Sequence, residues 1–207
     1  MSRTVMKPEE RKSQLIGIAL DLFMKQGYVN TSIKDIYSQA NGSFGMFYHH
    51  FSSKEEIFEA AMDRYTDLFV AGISDILLDQ QVSYERRYRN VLQHWLKMIN
   101  GRDMVRGTRH DEEVFRVLSG KMLSGAVNPA ESYIEEGIRR GLFAAADSRS
   151  AAIFVIYGIY GLIIEEYKRT GNNQNAGDIL TGAAALAAGI LKFEGLGGAA
   201  VKEDGNV

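Results

Sequence analysis

Residues 31–51 read TSIKDIYSQANGSFGMFYHHF, and this stretch decides the fold. Ser32 stands just before apolar residues at helical spacing, Ile33 and Ile36, with Asp35 three positions on. A serine there caps the helix start, and the acid favours the unpaired N–H groups of the first turn. The predicted helix stops at Ala40, because Asn41-Gly42 tolerate positive φ and mark a tight turn. Ser43 then caps a second helix, from Phe44 to about His50. Two short helices across a tight turn make a helix-turn-helix unit. A helix of about two turns is marginal alone, so neighbours must hold the second one. Phe47 and Phe51, at i and i+4, are the expected anchors, together with Ile36. That leaves Phe44, Met46, Tyr48 and His49 at the surface, with His50 near it.

Working outward, apolar residues recur at helical spacing and no period-two strand pattern appears, so the chain reads as all-α. A first helix over Pro8–Gln26 carries a stripe of Leu15, Ile16, Ala19, Leu22 and Phe23, and Gly27 suits its left-handed C-cap. A fourth helix opens at Lys54, capped by Ser52 or Ser53, and runs towards Leu78. Further helices are predicted over Tyr84–Asn100, over 112–118, and from a cap at Asn128-Pro129 to about 143. Asp147 caps a long apolar helix that ends near Thr170. A polar loop over 171–177 and an alanine-rich helix over 178–193 follow. The domain reading is a three-helix DNA-binding head over 1–53, a helical body over 54–194 and a loose tail over 195–207.

The composition fits this plan. Of 207 residues, 45% are hydrophobic and 24% charged, with a net charge of −2, an ordinary globular profile. There is no cysteine, which excludes disulfides, thiol nucleophiles and sulfur-ligated zinc. The first 11 residues (MSRTVMKPEER) lack the apolar core of a signal peptide. The longest apolar run, 14 residues over 151–164, falls short of the ~18–20 that cross a bilayer and reads as a buried helix. The expectation is a cytoplasmic protein with no membrane partner. The first 54 residues hold seven basic and four acidic side chains, +3 net, which leaves −5 on the remainder. A basic head on an acidic body points to a nucleic-acid contact at the N-terminus.

Residues 11–63 resemble the N-terminal domain of the TetR family of bacterial repressors. The resemblance rests on Ala19, Phe23 and Gly27-Tyr28; on Thr31-Ser32-Ile33 with Asp35-Ile36; and on Ser43-x-Gly45-x-Phe47-Tyr48-His49-His50-Phe51 followed by Ser53-Lys54-Glu55. It implies a head that docks on double-stranded operator DNA, with Thr31, Ser32, Lys34, Ser43, Phe44, Met46, Tyr48, His49 and Lys54 at the interface. Tyr48, His49, the following helix start and Lys54 suit phosphate contacts. The chain departs from the family where glycine and an aliphatic residue usually fill the turn (here Asn41-Gly42), and where a basic or small polar residue usually follows Ser43 (here Phe44). Phe44 cannot hydrogen-bond a base edge, and Met46 is as apolar. Base discrimination would then rest on Ser43, Lys34 and Thr31, with methyl contacts and DNA shape.

For the body, the resemblance implies a homodimer through the last two long helices. Small residues at Gly182, Ala183, Ala187 and Gly189 allow close helix approach. It also implies a cavity between the middle helices for a small, largely apolar effector. Trp95, Met98, Arg102, His110, Phe115, Tyr133 and Tyr157 are the candidate ligand-binding residues, with Met104, Met122 and Phe154 as further apolar lining. His110 and Glu113 lie i, i+3 but are only a pair, so no metal and no cofactor is expected. The resulting expectation is a ligand-responsive repressor released from DNA by its effector. A regulator without a ligand and an activator stay open. An all-α enzyme using His94 and His110 has against it the lack of any nucleophile–base spacing, phosphate loop or metal signature.

Overall fold

The structure, a computed structural model, describes residues 6–100, 111–145, 147–171 and 175–191, without the side chains of 97–100, 111–115, 176, 184, 188 and 190. Its regular elements among these residues are all helices: α1 (Pro8–Gln26), α2 (Ile33–Gln39), α3 (Phe44–His50), α4 (Lys54–Leu78), α5 (Tyr84–Asn100), α6 (Asp111–Arg139), α7 (Ser148–Thr170) and α8 (Ala176–Ile190).

Side-chain caps set several boundaries. Ser32 Oγ accepts the Asp35 N–H at 3.1 Å while the Asp35 carboxylate accepts the Ser32 N–H at 2.8 Å, a reciprocal box that satisfies two otherwise orphan donors. Ser43 Oγ accepts from Met46 N at 3.3 Å, Ser53 Oγ from Glu56 N at 3.2 Å, and Asp147 from Ser150 N at 3.0 Å. Ser53, not Ser52, is therefore the cap of α4; the Ser52 amide instead donates to Glu56 at 2.7 Å. α1 ends at Gly27, whose φ of 78° is in the region glycine adopts without strain.

The chain divides into two compact units, the first reaching Leu68 and including described residues 111–120 of α6, the second formed by Phe69–Asn100 and the described residues from Lys121 onward. The first unit closes around Leu15, Ala19 and Phe23 of α1, Ile36 of α2, Phe47 and Phe51, and Ile57 and Ala61 of α4, all buried. Phe23 meets Phe58 edge-on at 5.2 Å, and Tyr28 meets the same ring at 4.9 Å. Ile16 and Leu22, expected in the α1 stripe, are half-buried at its margin, and Leu20 is buried instead.

The second unit is held by an apolar core and one buried ion pair. Arg87, 1% exposed, grips Glu136, 13% exposed, through two bonds of 2.6 and 2.9 Å. Its guanidinium also donates to the Leu77 carbonyl at 2.7 Å and lies over the Tyr84 and Tyr133 rings. Those two rings stack at 4.0 Å, and each hydroxyl donates to the other residue's carbonyl.

α6 corrects the expected break at Asn128-Pro129. It is one helix with Pro129 inside it. An interior proline removes one helical hydrogen bond and costs roughly 3 kcal/mol. Here buried side chains on both sides of it (Met122, Leu123, Ala126, Val127, Tyr133 and Ile134) offset that cost by packing. Asn128 is not a cap: its Oδ1 accepts from Arg149 at 3.2 Å.

α7 buries Ala152, Ile156 and Ile163 and exposes the opposite stripe of Ile153, Phe154, Tyr157, Gly158, Gly161 and Leu162. By length and composition this 23-residue helix could cross a membrane (mean hydropathy 1.4), and only 22% of its most apolar window is buried. Its bounds are those expected from the Asp147 cap to Thr170, but most of the run expected to be buried is exposed or half-buried. On α8, Ala183 and Ala187 face inward, and Gly182, Leu186 and Gly189 are exposed.

Candidate nucleic-acid interface

The turn between α2 and α3 is made by Asn41, with φ of 51°, followed by Gly42. Gly42 donates its N–H to the Tyr37 carbonyl at 2.8 Å. A Cβ on Gly42 would stand 1.8 Å from Met46 Cε, so the Met46 side chain fills the space an aliphatic turn residue would occupy. Met46 is accordingly half-buried and packs on the core of the first unit. It helps seat α3 and is drawn away from the surface where it was expected.

α3 points two kinds of side chain in opposite directions. Phe47 and Phe51 are buried, while Phe44 is 63% exposed and Tyr48 and His49 are exposed. The Phe44 and Tyr48 rings meet at 4.5 Å, and Tyr48 meets the buried Phe47 ring at 5.3 Å. Contact thus runs ring to ring from surface to core. Lys34, Ser43 and Gly45 are exposed alongside, and nothing lies within 4 Å of where a Gly45 Cβ would be.

Several basic groups are already engaged. Lys54 Nζ donates to the Tyr28 carbonyl and stands 4.0 Å from the Tyr28 ring centroid; burial holds its pKa below the usual lysine range. The Tyr28 hydroxyl donates to Glu55 at 2.8 Å, and burial, reinforced by that carboxylate, pushes its pKa up to about 12. Tyr28 therefore fixes the start of α4 from a position 26 residues away in sequence, a role no local pattern could reveal. Arg11 donates to the Ala40 carbonyl at 3.3 Å, where a cation complements the C-terminal end of α2. His50 is held below the usual imidazole pKa, first by burial and then by His49 and Lys12. Thr31 is a correction: it is buried, and its hydroxyl donates to the Gly27 carbonyl at 2.8 Å. It locks the α1–α2 corner and has no polar atom to offer a base. Ser32 is exposed, but its hydroxyl is held in the cap of α2.

Residues 15–61 match the family model described as bacterial regulatory proteins, tetR family. Over this domain the chain is similar to the TetR family. Among curated relatives, the HTH-type transcriptional activator FasR of Mycolicibacterium smegmatis is 35% identical over 69 residues, covering 33% of this chain and 32% of that protein. The HTH-type transcriptional repressor KstR2 of Mycobacterium tuberculosis is 31% identical over 77 residues, covering 37% and 38%. The matched region thus spans about a third of each relative. Both are named as transcriptional regulators, not enzymes. The likeness extends further in fold: a TetR-family transcriptional regulator from Pectobacterium atrosepticum superposes with a TM-score of 0.64 over 91% of this chain and 96% of that one, at 23% identity.

In the second unit, a cavity of about 90 Å³ is lined by apolar side chains, among them Leu77, Val91, Trp95, Tyr133, Phe143 and Ile156. No charged residue is among the described lining. Trp95 and Tyr133, named from the sequence as candidates, are among its lining. Tyr157 and Phe154 are corrections: they lie on the exposed stripe of α7 and do not line this cavity. Met122 is buried but does not line it. Met98, Arg102, Met104, His110, Glu113 and Phe115 fall outside the described side chains.

Proposed function

We propose that this chain is a transcriptional regulator that binds double-stranded operator DNA as a homodimer and is released by a small, largely apolar effector. The observation that carries the reading is α3. It is anchored by Phe47 and Phe51 and presents Phe44, Tyr48 and His49 outward, with Ser43, Lys34 and Ser32 beside them. Lys54 at the start of α4 supplies a cation at the same edge, oriented by Tyr28. Two such helices in a dimer would read half-sites about one duplex turn apart, ~34–36 Å. On this reading the protein acts in the cytoplasm, where its DNA target would be.

Pairing through α7 and α8 is supported by their exposed apolar stripes. Phe154 is 61% and Leu186 62% exposed, and Gly158, Gly161, Gly182 and Gly189 have open space over their Cα atoms, so a second helix pair can approach closely. A contiguous apolar face of this kind marks an interaction site. The glycines and the partly buried inner face fit helix pairing better than a bilayer.

The cavity supports an uncharged effector. At about 90 Å³ it is smaller than the ~150 Å³ that holds benzene, so a larger effector enters by displacing side chains. α4 contributes Ile57 and Ala61 to the core of the first unit and Ile73 and Leu77 to the cavity wall of the second. A shift of this continuous helix is the proposed link to the head. Moving the population from 1:99 to 99:1 requires about 5.5 kcal/mol of differential effector binding.

The sign of regulation has two readings, since FasR is named an activator and KstR2 a repressor; repression is the one adopted. The test is selection of duplexes from a random pool by the full chain at low salt, where phosphate contacts are strongest. The mass of the complex and its affinity with added effector are then measured. Failure to enrich any duplex would refute DNA binding, and unchanged affinity with effector bound would refute release.

A further inference from the structure

The recognition surface of α3 is short of polar groups, and the structure narrows it further. Gly42 and Gly45 carry no side chain. Met46 is folded onto Gly42, and Thr31 is buried with its hydroxyl bonded to Gly27. Ser32 and Ser43 both use their hydroxyl oxygens to accept backbone N–H groups at helix starts. The most exposed large hydrophobic side chain on α3 is an aromatic ring, Phe44, at 63%. It is not loose, because Tyr48 lies against it at 4.5 Å and is itself backed by Phe47. An exposed phenylalanine forgoes the free energy of burial, and one that a neighbouring ring holds in place is preorganised to receive an apolar partner.

In the major groove the one apolar group on a base edge is the C5-methyl of thymine. We propose that Phe44, braced by Tyr48, is the specificity-determining residue of this interface and reads the C5-methyl group of a thymine in each half-site. This rests on the DNA-binding reading above and names what that surface recognises. The same methyl is carried by 5-methylcytosine, so recognition extends to a methylated C·G pair at that position.

The test uses the full chain and a duplex it has selected from a random pool. Each thymine is replaced singly by deoxyuridine, which removes the methyl and keeps the pairing, and affinity is measured by fluorescence anisotropy at fixed salt. One position per half-site should weaken binding about fourfold, the equivalent of about 0.8 kcal/mol for one buried methyl at 1.4 kcal/mol per factor of ten. In Phe44→Ala the thymine and uracil duplexes should bind equally. In Phe44→Leu, which keeps an apolar side chain, part of the difference should remain. Replacing that T·A pair by C·G should weaken wild-type binding, and methylation of the new cytosine should recover most of the loss. An unchanged thermal midpoint for Phe44→Ala confirms that its fold is intact. A selected duplex indifferent to uracil at every position would overturn this proposal and leave DNA binding standing, as would a uracil effect that persists undiminished in Phe44→Ala. Failure to select any duplex would instead overturn the DNA-binding reading itself.

Discussion

Replacing Glu136 by glutamine should cost the second unit about 2–3 kcal/mol at pH 7. Glu136 is 13% exposed and accepts two bonds from Arg87, which is 1% exposed and whose Nε has no partner. The Arg87 hydrogen bonds hold the Glu136 pKa down to about 2, from an ordinary 4.5. At about 1.36 kcal/mol per pKa unit, that difference is worth roughly 3 kcal/mol. Solvent reaching the outer edge of the carboxylate, where Arg140 also sits, lowers the figure toward 2. Glutamine keeps the shape and loses the charge, leaving the guanidinium buried without a counter-ion, the situation that makes breaking such pairs costly. For a chain of this size each kcal/mol shifts the melting midpoint by about 2–4 °C, so calorimetry should show a fall of about 4–12 °C. The sign with pH follows from the depressed pKa. The pair contributes in full above about 4.5, and the contribution is lost as pH falls toward 2. The gap between wild type and Glu136→Gln should therefore close between pH 5 and pH 2. A double change, Arg87→Met with Glu136→Leu, should recover much of the stability, since no charge is then stranded. A single variant within about 0.5 kcal/mol of wild type at pH 7, the usual range for a surface substitution, would refute the reasoning, as would a gap that persists at the acid end.

Three further outcomes are expected. Phe154→Glu combined with Leu186→Glu should convert the proposed dimer to a monomer in light scattering while keeping the helical circular dichroism; an unchanged dimer mass would remove α7 and α8 as the pairing surface. Ile156→Ala should enlarge the apolar cavity and cost about 2–5 kcal/mol, with small apolar compounds restoring part of the midpoint in thermal-shift assays; a neutral effect would mean the cavity wall collapses without loss. Lys34→Ala should weaken binding chiefly at the base pair that Lys34 reads; a loss uniform across duplexes, with the salt dependence of affinity reduced by about one phosphate contact per protomer, would assign Lys34 to the backbone instead.

Much of the head was legible in the sequence, because its boundaries are set by local chemistry. Ser32 with Asp35, Asn41 in the turn and Ser43 each act within three or four residues, as Asp147 does in the body, and each does in the structure what its spacing implies. Phe47 and Phe51 follow for the same reason, since i, i+4 side chains share a helix face. What could not be read is long-range or conditional. The role of Tyr28 in placing Lys54 depends on the packing of α1 against α4. Asn128-Pro129 carried a strong local signal for a helix start, but burial on both sides of the proline outweighed it and Arg149 took the asparagine oxygen. Tyr157 and Phe154 looked like cavity lining because aromatic residues on an apolar helix give no clue to which face turns inward. Thr31 looked like a surface hydroxyl because a capping position and a buried corner share the same residue preference. Met46 looked exposed because nothing local reveals that it folds onto Gly42.

The division of labour within α3 has a consequence for how such a protein changes over generations. The residues that secure the helix, Phe47 and Phe51, are buried in the core, and those proposed to meet DNA, Phe44, Tyr48 and His49, are exposed. On the proposed reading, substitution at 44 would alter which sequence is recognised while leaving the buried anchors Phe47 and Phe51 in place. Lineages could then explore new recognition sequences by single steps that spare the core. A helix of seven residues that owes its stability to its neighbours is for that reason a good place to vary.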